Sequence, residues 1–154
     1  MKQIVQNDDC DVWLDRIERP FLFKSPFEGE QFVLMLVVND TTISDDEQAT
    51  LSKEIVQQGC RYAVCTGFKC SSWDESIDLA VISTDPDFNP PDDRVVMTTW
   101  HQDEPIPDVV EYFRWNTCFD DFLPRHFLIV FLGSNSTAEE QATEAVHRFF
   151  DKAT

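Results

Sequence analysis

The sequence predicts a three-layer α/β domain, with a mainly parallel sheet of about four to five strands and helices on both faces. Three observations predict this class. Short apolar runs alternate along the chain with segments of helical periodicity, as in βαβ units. The strongest runs are apolar without interruption, which suits strands covered on both faces. Signals for helix starts follow several of these runs. We expect residues 1–154 to form one domain.

The first part of the chain, residues 1–31, is irregular in pattern, and we expect an extension that packs on the domain. Within it, residues 12–17 suit a short amphipathic helix that begins near Asp8 or Asp9. Pro20 would end that helix, and residues 21–23 would then form a short edge strand.

The regular part of the chain begins with residues 32–38, an apolar run that predicts a buried strand. Ser44 and Glu47 form a capping box that opens a helix, and Gly59 suits its left-handed end. Residues 62–66 predict the next strand in the same way.

The middle of the chain continues this alternation. Ser72 with Glu75 is a second capping box, and we expect the helix to begin there. Residues 83–93 are rich in proline and aspartate and predict a loop, followed by a third strand at residues 94–99.

The last units follow the same rules. Pro105 or Pro107 suits the first turn of a helix, residues 126–132 predict a fourth apolar strand, and Ser136 with Glu139 is a third capping box. The side chains expected to face inward from the last two helices are Val109, Val110, Phe113, Thr117, Ala142, Ala145, Val146 and Phe149.

The charge of the chain is unbalanced. There are 29 acidic and 12 basic residues, for a net charge of −17. Nucleic acids and anionic membranes bind through lysine and arginine, so we expect neither as a partner. A basic protein is a plausible partner, and the alternative is that the acidic surface simply keeps the protein soluble. The segment 70–113 carries eleven of the acids and a single base, Arg94.

The number and spacing of the cysteines and glycines bear on the location of the protein and on its cofactors. Five cysteines without a Cys-x-x-Cys pair predict reduced thiols and no common zinc site. No secretory signal or membrane span is predicted, so we expect a cytoplasmic protein. The chain has 4 glycines and no glycine-rich phosphate loop, so we expect no nucleotide cofactor.

Two catalytic alternatives lie at the carboxyl ends of the predicted strands, where such sheets bind ligands. Cys70, just before a predicted helix start, would be a nucleophile with His101 as base, oriented by Asp74 or Asp103. The same residues also fit a buried thiol beside a solvated histidine. Alternatively, Asp40, Asp74 and Asp103 would hold magnesium in a phosphotransfer or sensory domain, or would simply be helix-start residues.

Two motifs carry a resemblance. The first runs from Cys70 to Ser76 and the second from Val96 to Pro105. In both, the chain resembles a bacterial family known only as a domain of unknown function. The resemblance covers roughly residues 30–133, implies a bacterial cytoplasmic protein, and adds no activity.

We favour a non-catalytic protein that neutralises a basic partner, most concretely an immunity protein that blocks a toxin enzyme such as a nuclease. Exposed aromatic side chains ringed by acids would anchor such a partner. The alternative is that the rings pack in the core, which suits Trp115 better than the two tryptophans of the predicted surface. The residues of that surface are Trp73, Asp74, Glu75, Asp78, Trp100, Asp103, Glu104 and Asp108.

Overall fold

The structure is a computed structural model that describes residues 1–151. The strands of this part are β1 (Lys2–Gln6), β2 (Asp11–Ile17), β3 (Phe32–Val38), β4 (Cys60–Gly67), β5 (Met97–His101) and β6 (His126–Leu132). The helices are α1 (Asp45–Gln57), α2 (Cys70–Ser83), α3 (Ile106–Trp115) and α4 (Ser136–Phe150). A turn of 3-10 helix covers Asp92–Arg94.

The strands form one sheet in the order β1-β2-β6-β3-β4-β5. Every neighbouring pair is parallel except β1 and β2, which are antiparallel. The chain runs outward from β3 to β4 and β5, then returns through α3 to place β6 on the other side of β3. Helices α1 and α2 pack on one face, and α3 and α4 pack on the other. The predicted α/β class is confirmed.

The side chains of β3 explain the uninterrupted apolar runs. Leu34 and Leu36 point into the cluster under α1 and α2, whereas Val33 and Met35 point into the cluster under α3 and α4. Successive side chains of a strand point to opposite faces, so a strand covered on both faces needs an apolar residue at every position.

The N-terminal region adds two strands, so the sheet has six rather than the expected four to five. The helix expected over residues 12–17 is wrong: this segment is β2, paired with β6 from Asp11 to Ile17. The acids taken for a helix start lie in the turn between β1 and β2. There the Asn7 side chain accepts hydrogen bonds from the backbone nitrogens of Asp9 and Cys10 at 2.9 and 3.0 Å.

The segment 18–31 crosses the α1 side of the sheet without forming the strand expected at residues 21–23. Its backbone groups bond to side chains of α1 instead of to another strand. The Phe23 nitrogen donates to Glu54 at 3.0 Å, and the Gln58 amide donates to the Phe23 oxygen at 2.8 Å. These bonds satisfy a buried segment that lacks a sheet partner.

Proline lies at the start of α3 as predicted, and one of the three predicted capping boxes is present. Ser44 and Glu47 form the predicted capping box at the start of α1. The box predicted from Ser72 is wrong, because α2 begins two residues earlier and Ser72 lies within its first turn. The Ser72 hydroxyl instead accepts a hydrogen bond of 2.9 Å from Gln48 of α1.

The remaining elements differ from the predictions in detail. Asn135, rather than Ser136, caps α4 and accepts from the Ala138 nitrogen at 3.0 Å. Strand β5 begins three residues later than predicted, because Arg94 lies in the 3-10 turn. The expected inward residues of α3 and α4 are buried, except that Phe149 is half-buried and Phe150 fills the core instead. Among residues 1–151, no helix combines the length and apolarity that crossing a membrane requires.

Candidate binding surface at the β5 edge

Strand β5 lies at one end of the sheet and, among the strands of residues 1–151, pairs only with β4. Its side chains alternate between the two faces. Thr98 donates a hydrogen bond of 2.8 Å to Asp78 of α2, so Thr98 and Trp100 point to the α2 face. The His101 ring packs 4.6 Å from the Tyr112 ring of α3, on the opposite face. Trp100 is 53% exposed, as expected for an edge position.

Exposed carboxylates surround this edge. Helix α2 presents two of them: Asp78, which accepts a hydrogen bond from Thr98 of β5, and Glu75, three residues earlier and therefore its neighbour on the helix surface. The turn after β5 contributes two more, and the first turn of α3 another. We call this set the acidic edge, and it comprises Trp100, Glu75, Asp78, Asp103, Glu104 and Asp108.

The charge of the acidic edge is barely compensated by the protein itself. Within residues 1–151, the one ion pair that reaches it joins His101 Nδ1 to Glu104 at 3.1 Å. Elsewhere arginine neutralises several acids, as where Arg19 lies 3.0 Å from Glu47. The five carboxylates of the acidic edge therefore form a negatively charged surface that is open to an external cation.

Two of the predicted surface residues belong to the interior. Trp73 is 2% exposed and Asp74 is 9% exposed, because both lie on the side of α2 that faces the sheet, in phase with Ile77. The reverse holds for Trp115, which was expected in the core. It is 59% exposed at the end of α3, and the Arg114 guanidinium lies 4.5 Å from its ring centroid.

Asp74 is a buried carboxyl group with an unsatisfied oxygen. Its Oδ1 atom has no hydrogen-bond partner. Burial raises the pKa of Asp74, the Thr98 hydroxyl opposes this by hydrogen bonding, and the nearby carboxylates of Asp78 and Glu75 raise the pKa further. The group bears on stability rather than on contact with a partner.

The structure does not bring the side chains of Cys70 and His101 together. The Cys70 thiol lies in the cluster shared with α1 and α2, on the opposite side of the sheet from the His101 ring. The two ring nitrogens of His101 face Thr99 at 3.0 Å and Glu104 at 3.1 Å. Burial raises the pKa of Cys70, although backbone N–H groups, chiefly that of His101, oppose the shift. Asp103, expected to orient the imidazole, is exposed in the turn after β5.

The three aspartates considered for magnesium also remain apart. Asp40 accepts hydrogen bonds from the Thr42 nitrogen and hydroxyl at 2.7 and 2.6 Å, and these bonds lower its pKa. Asp74 lies on the sheet-facing side of α2, and Asp103 lies in the turn after β5. Within residues 1–151, no group of three His, Cys, Asp or Glu side chains is placed to hold a metal ion.

Sequence reasoning missed the part of the surface that β5 itself supplies. Met97 is 42% exposed, and Thr98 and Thr99 are half-buried. The signal was present in the composition, since β5 mixes threonine with apolar residues whereas β3 and β6 are apolar almost throughout. A strand with polar positions on both faces is typical of the edge of a sheet.

A partly buried hydrogen-bond network connects Glu104 of the acidic edge to the α3 face of the sheet. The Tyr62 and Tyr112 hydroxyls lie 2.6 Å apart, and burial raises the pKa of Tyr62. Beside them, Thr99, His101 and Glu104 are joined in sequence through the imidazole. The contact with His101 therefore holds the Glu104 carboxylate in position.

A cleft of about 750 Å³ opens at the carboxyl ends of β3, β4 and β5, where ligand sites in such sheets lie. Some of its polar side chains are used within the protein. The Asn39 amide donates to the Gly133 oxygen at 3.1 Å, and the Thr66 hydroxyl donates to the His101 oxygen at 2.9 Å. The cleft therefore offers fewer free groups than its lining suggests.

Comparison with curated proteins gives no match. A family model described as a domain of unknown function, DUF7684, matches residues 8–149. This match extends beyond the expected residues 30–133 and takes in both β2 and α4. The chain therefore belongs to the DUF7684 family, a domain of unknown function.

Proposed function

We propose that this protein is a non-catalytic binding protein that neutralises a basic protein partner through its acidic edge. In the most concrete form of the proposal it is an immunity protein, resembling an antitoxin, that covers the active site of a toxin enzyme. A nuclease suits this role, because an enzyme that binds a phosphate backbone needs a groove lined by lysine and arginine. The proposed setting is the cytoplasm, where the five thiols stay reduced.

The observation that carries the proposal is the exposed ring of Trp100 on an edge strand, set among carboxylates that lack a lysine or arginine partner within residues 1–151. Tryptophan is the strongest aromatic anchor in protein interfaces and attracts cations through its face. Carboxylates around such an anchor speed the encounter with a basic partner and reject acidic ones.

The catalytic alternatives find less support in the geometry. A cysteine hydrolase needs a thiol that ionises readily next to a base. Burial raises the pKa of Cys70, and the His101 ring lies on the other face of the sheet. A magnesium-dependent phosphotransfer or sensory domain needs acids that converge, and Asp40, Asp74 and Asp103 have separate surroundings.

The proposal is tested with two variants that change the net charge by the same amount. The protein is purified from its native host at low salt, an equimolar basic protein is identified, and its binding to each variant is measured by surface plasmon resonance. The edge variant carries Glu75→Lys, Asp78→Lys and Asp108→Lys. The control variant carries Asp46→Lys, Glu140→Lys and Glu144→Lys, all at exposed positions of α1 and α4.

We expect the edge variant to bind at least about tenfold more weakly, chiefly through slower association, because rim charges act on the encounter rate. The control variant should stay within about twofold of the native protein. Equal losses in both variants would show that only net charge matters, and no loss in the edge variant would show that the partner binds elsewhere. Either result, or the absence of a basic partner, refutes the proposal.

A further inference from the structure

We infer that the acidic edge accepts its partner as an added β-strand, in which an extended, basic segment of the partner protein pairs with β5. This inference rests on the proposed function and specifies how the partner is held. Adding a strand to an open sheet edge uses main-chain hydrogen bonds for affinity and leaves side-chain contacts to decide specificity.

The two edges of the sheet are built differently. At the β1 edge, the pairing with β2 shifts register between Gln3 and Val5, and Lys2 lies on the edge strand. A register irregularity and an edge lysine are devices that natural proteins use to prevent further strands from pairing. The β1 edge is thus protected against strand addition.

The β5 edge lacks such protection within the strand itself. Its pairing with β4 runs without a register shift from Met97 opposite Tyr62 to His101 opposite Thr66. The sequence of β5, MTTWH, contains no lysine, arginine or proline. A regular strand of this kind presents a row of backbone donors and acceptors on its open side.

Charge identifies the occupant. An added strand would direct alternate side chains to the two faces of the sheet. On one face they would meet Glu75 and Asp78 of α2, and on the other they would approach Asp108 of α3. Lysine and arginine are therefore favoured on both faces of the incoming segment, and Trp100 offers a ring on the α2 face.

A second copy of this chain is a poor occupant of the same edge. Pairing two β5 strands would bring the carboxylates of both acidic edges together, and like charges opposed across an interface are destabilising. The net charge of −17 on each copy adds to this repulsion. A partner of opposite charge is left as the occupant that the edge favours.

The experiment uses a synthetic probe and the full-length protein. The probe is a ten-residue peptide with blocked ends in which pairs of lysines alternate with pairs of threonines, so that an extended strand presents lysine on both faces. A matched peptide has the same side chains but N-methyl groups on four consecutive central residues, which removes hydrogen-bond donors from both edges of the strand. Affinity is measured by calorimetry, and amide hydrogen exchange is followed in β5 and β1.

We expect the unmodified peptide to bind, to slow exchange by at least about tenfold at β5 amides directed to the open side, and to leave β1 unchanged. The N-methylated peptide should bind at least about tenfold more weakly, since each lost hydrogen bond contributes several-fold to affinity. The edge variant defined above should lose binding of the unmodified peptide, and the control variant should retain it.

Equal affinity for both peptides, or no binding of the unmodified peptide, overturns strand addition. So does protection of β5 by self-association of the protein alone, which would make a second copy the occupant. The peptide experiment can thus refute strand addition while the native partner still binds the edge variant more weakly than the control variant. Failure of that comparison, by contrast, refutes the proposed function itself.

Discussion

The Asp74 carboxyl group links the stability of this protein to pH. It lies on the sheet-facing side of α2, its Oδ1 atom has no hydrogen-bond partner, and burial raises its pKa. The pKa in the folded protein is therefore above the unfolded value of about 3.9. Below the unfolded value the group is protonated in both states and costs nothing. The cost appears as the pH rises from there through the folded pKa, because the charged form is disfavoured only in the folded protein.

The substitution Asp74→Asn removes the charge and keeps the shape of the side chain. An unsatisfied buried polar group costs about 1–3 kcal/mol, and a charge costs more. Asparagine also ends the repulsion from Asp78 and Glu75 that contributes to the shifted pKa. Because the amide recovers only part of this cost, we expect a stabilisation of about 1 kcal/mol at pH 7. For a chain of this size that corresponds to a rise in Tm of about 2–4 °C.

The measurement is urea unfolding followed by tryptophan fluorescence at neutral pH and at a pH below about 3.9. The stabilisation should be present at neutral pH and absent in acid. Glu75→Gln is the control, since Glu75 is exposed on the same helix and its loss should change stability by no more than about 0.5 kcal/mol. A less stable Asp74→Asn protein at pH 7, or a gain that persists in acid, would refute the reasoning.

Two further predictions concern backbone geometry and thiol reactivity. Gly67→Ala should destabilise the protein by about 3 kcal/mol or more in thermal unfolding. Gly67 has φ of +92°, and an added Cβ would clash with the carbonyl oxygen of Val38 and lie 2.8 Å from the Val38 nitrogen. Gly29→Ala, at φ of +86° with no heavy atom within 4 Å, should cost only about 1 kcal/mol; equal losses would contradict the clash. With Ellman's reagent, exposed Cys118 should react in the native protein, whereas buried Cys70 should react only on unfolding. Rapid reaction of Cys70 would restore the hydrolase interpretation.

The elements that the sequence predicts well are those whose surroundings are uniform. Strands β3 and β6 are covered on both faces, so every position except His126 is apolar and their bounds follow directly from the sequence. Strand β2 was misassigned for the opposite reason. Its apolar residues, at positions 12, 13, 14 and 17, fit a helical spacing as well as a half-buried strand. Pairing with β6, more than 100 residues further along the chain, decides between them.

For the acidic edge, the sequence predicts the excess of acidic residues but not which side chains of α2 are exposed. The acidic surplus of residues 70–113 is a property of the sequence, whereas the direction of each side chain depends on the phase of α2. That phase is set where the helix begins. Lys69 adopts a left-handed conformation with φ of 52°, directly after the close approach of Gly67 to Val38, and α2 starts at the next residue. This contact between strands turns Trp73 inward and is not visible in a local pattern.

The open strand and the acidic surplus can be understood as one feature. An unprotected β5 edge would expose this protein to pairing with other copies of itself, which natural sheets prevent by charge, bulges or coverage. At the β5 edge the protecting charge lies not in the strand but on the flanking helices and the following turn, at Glu75, Asp78, Asp103, Glu104 and Asp108. Carboxylates in those places oppose an acidic strand and leave the backbone of β5 accessible to a basic one. In the proposed complex, the same groups that would keep the protein from self-association would also select a basic partner.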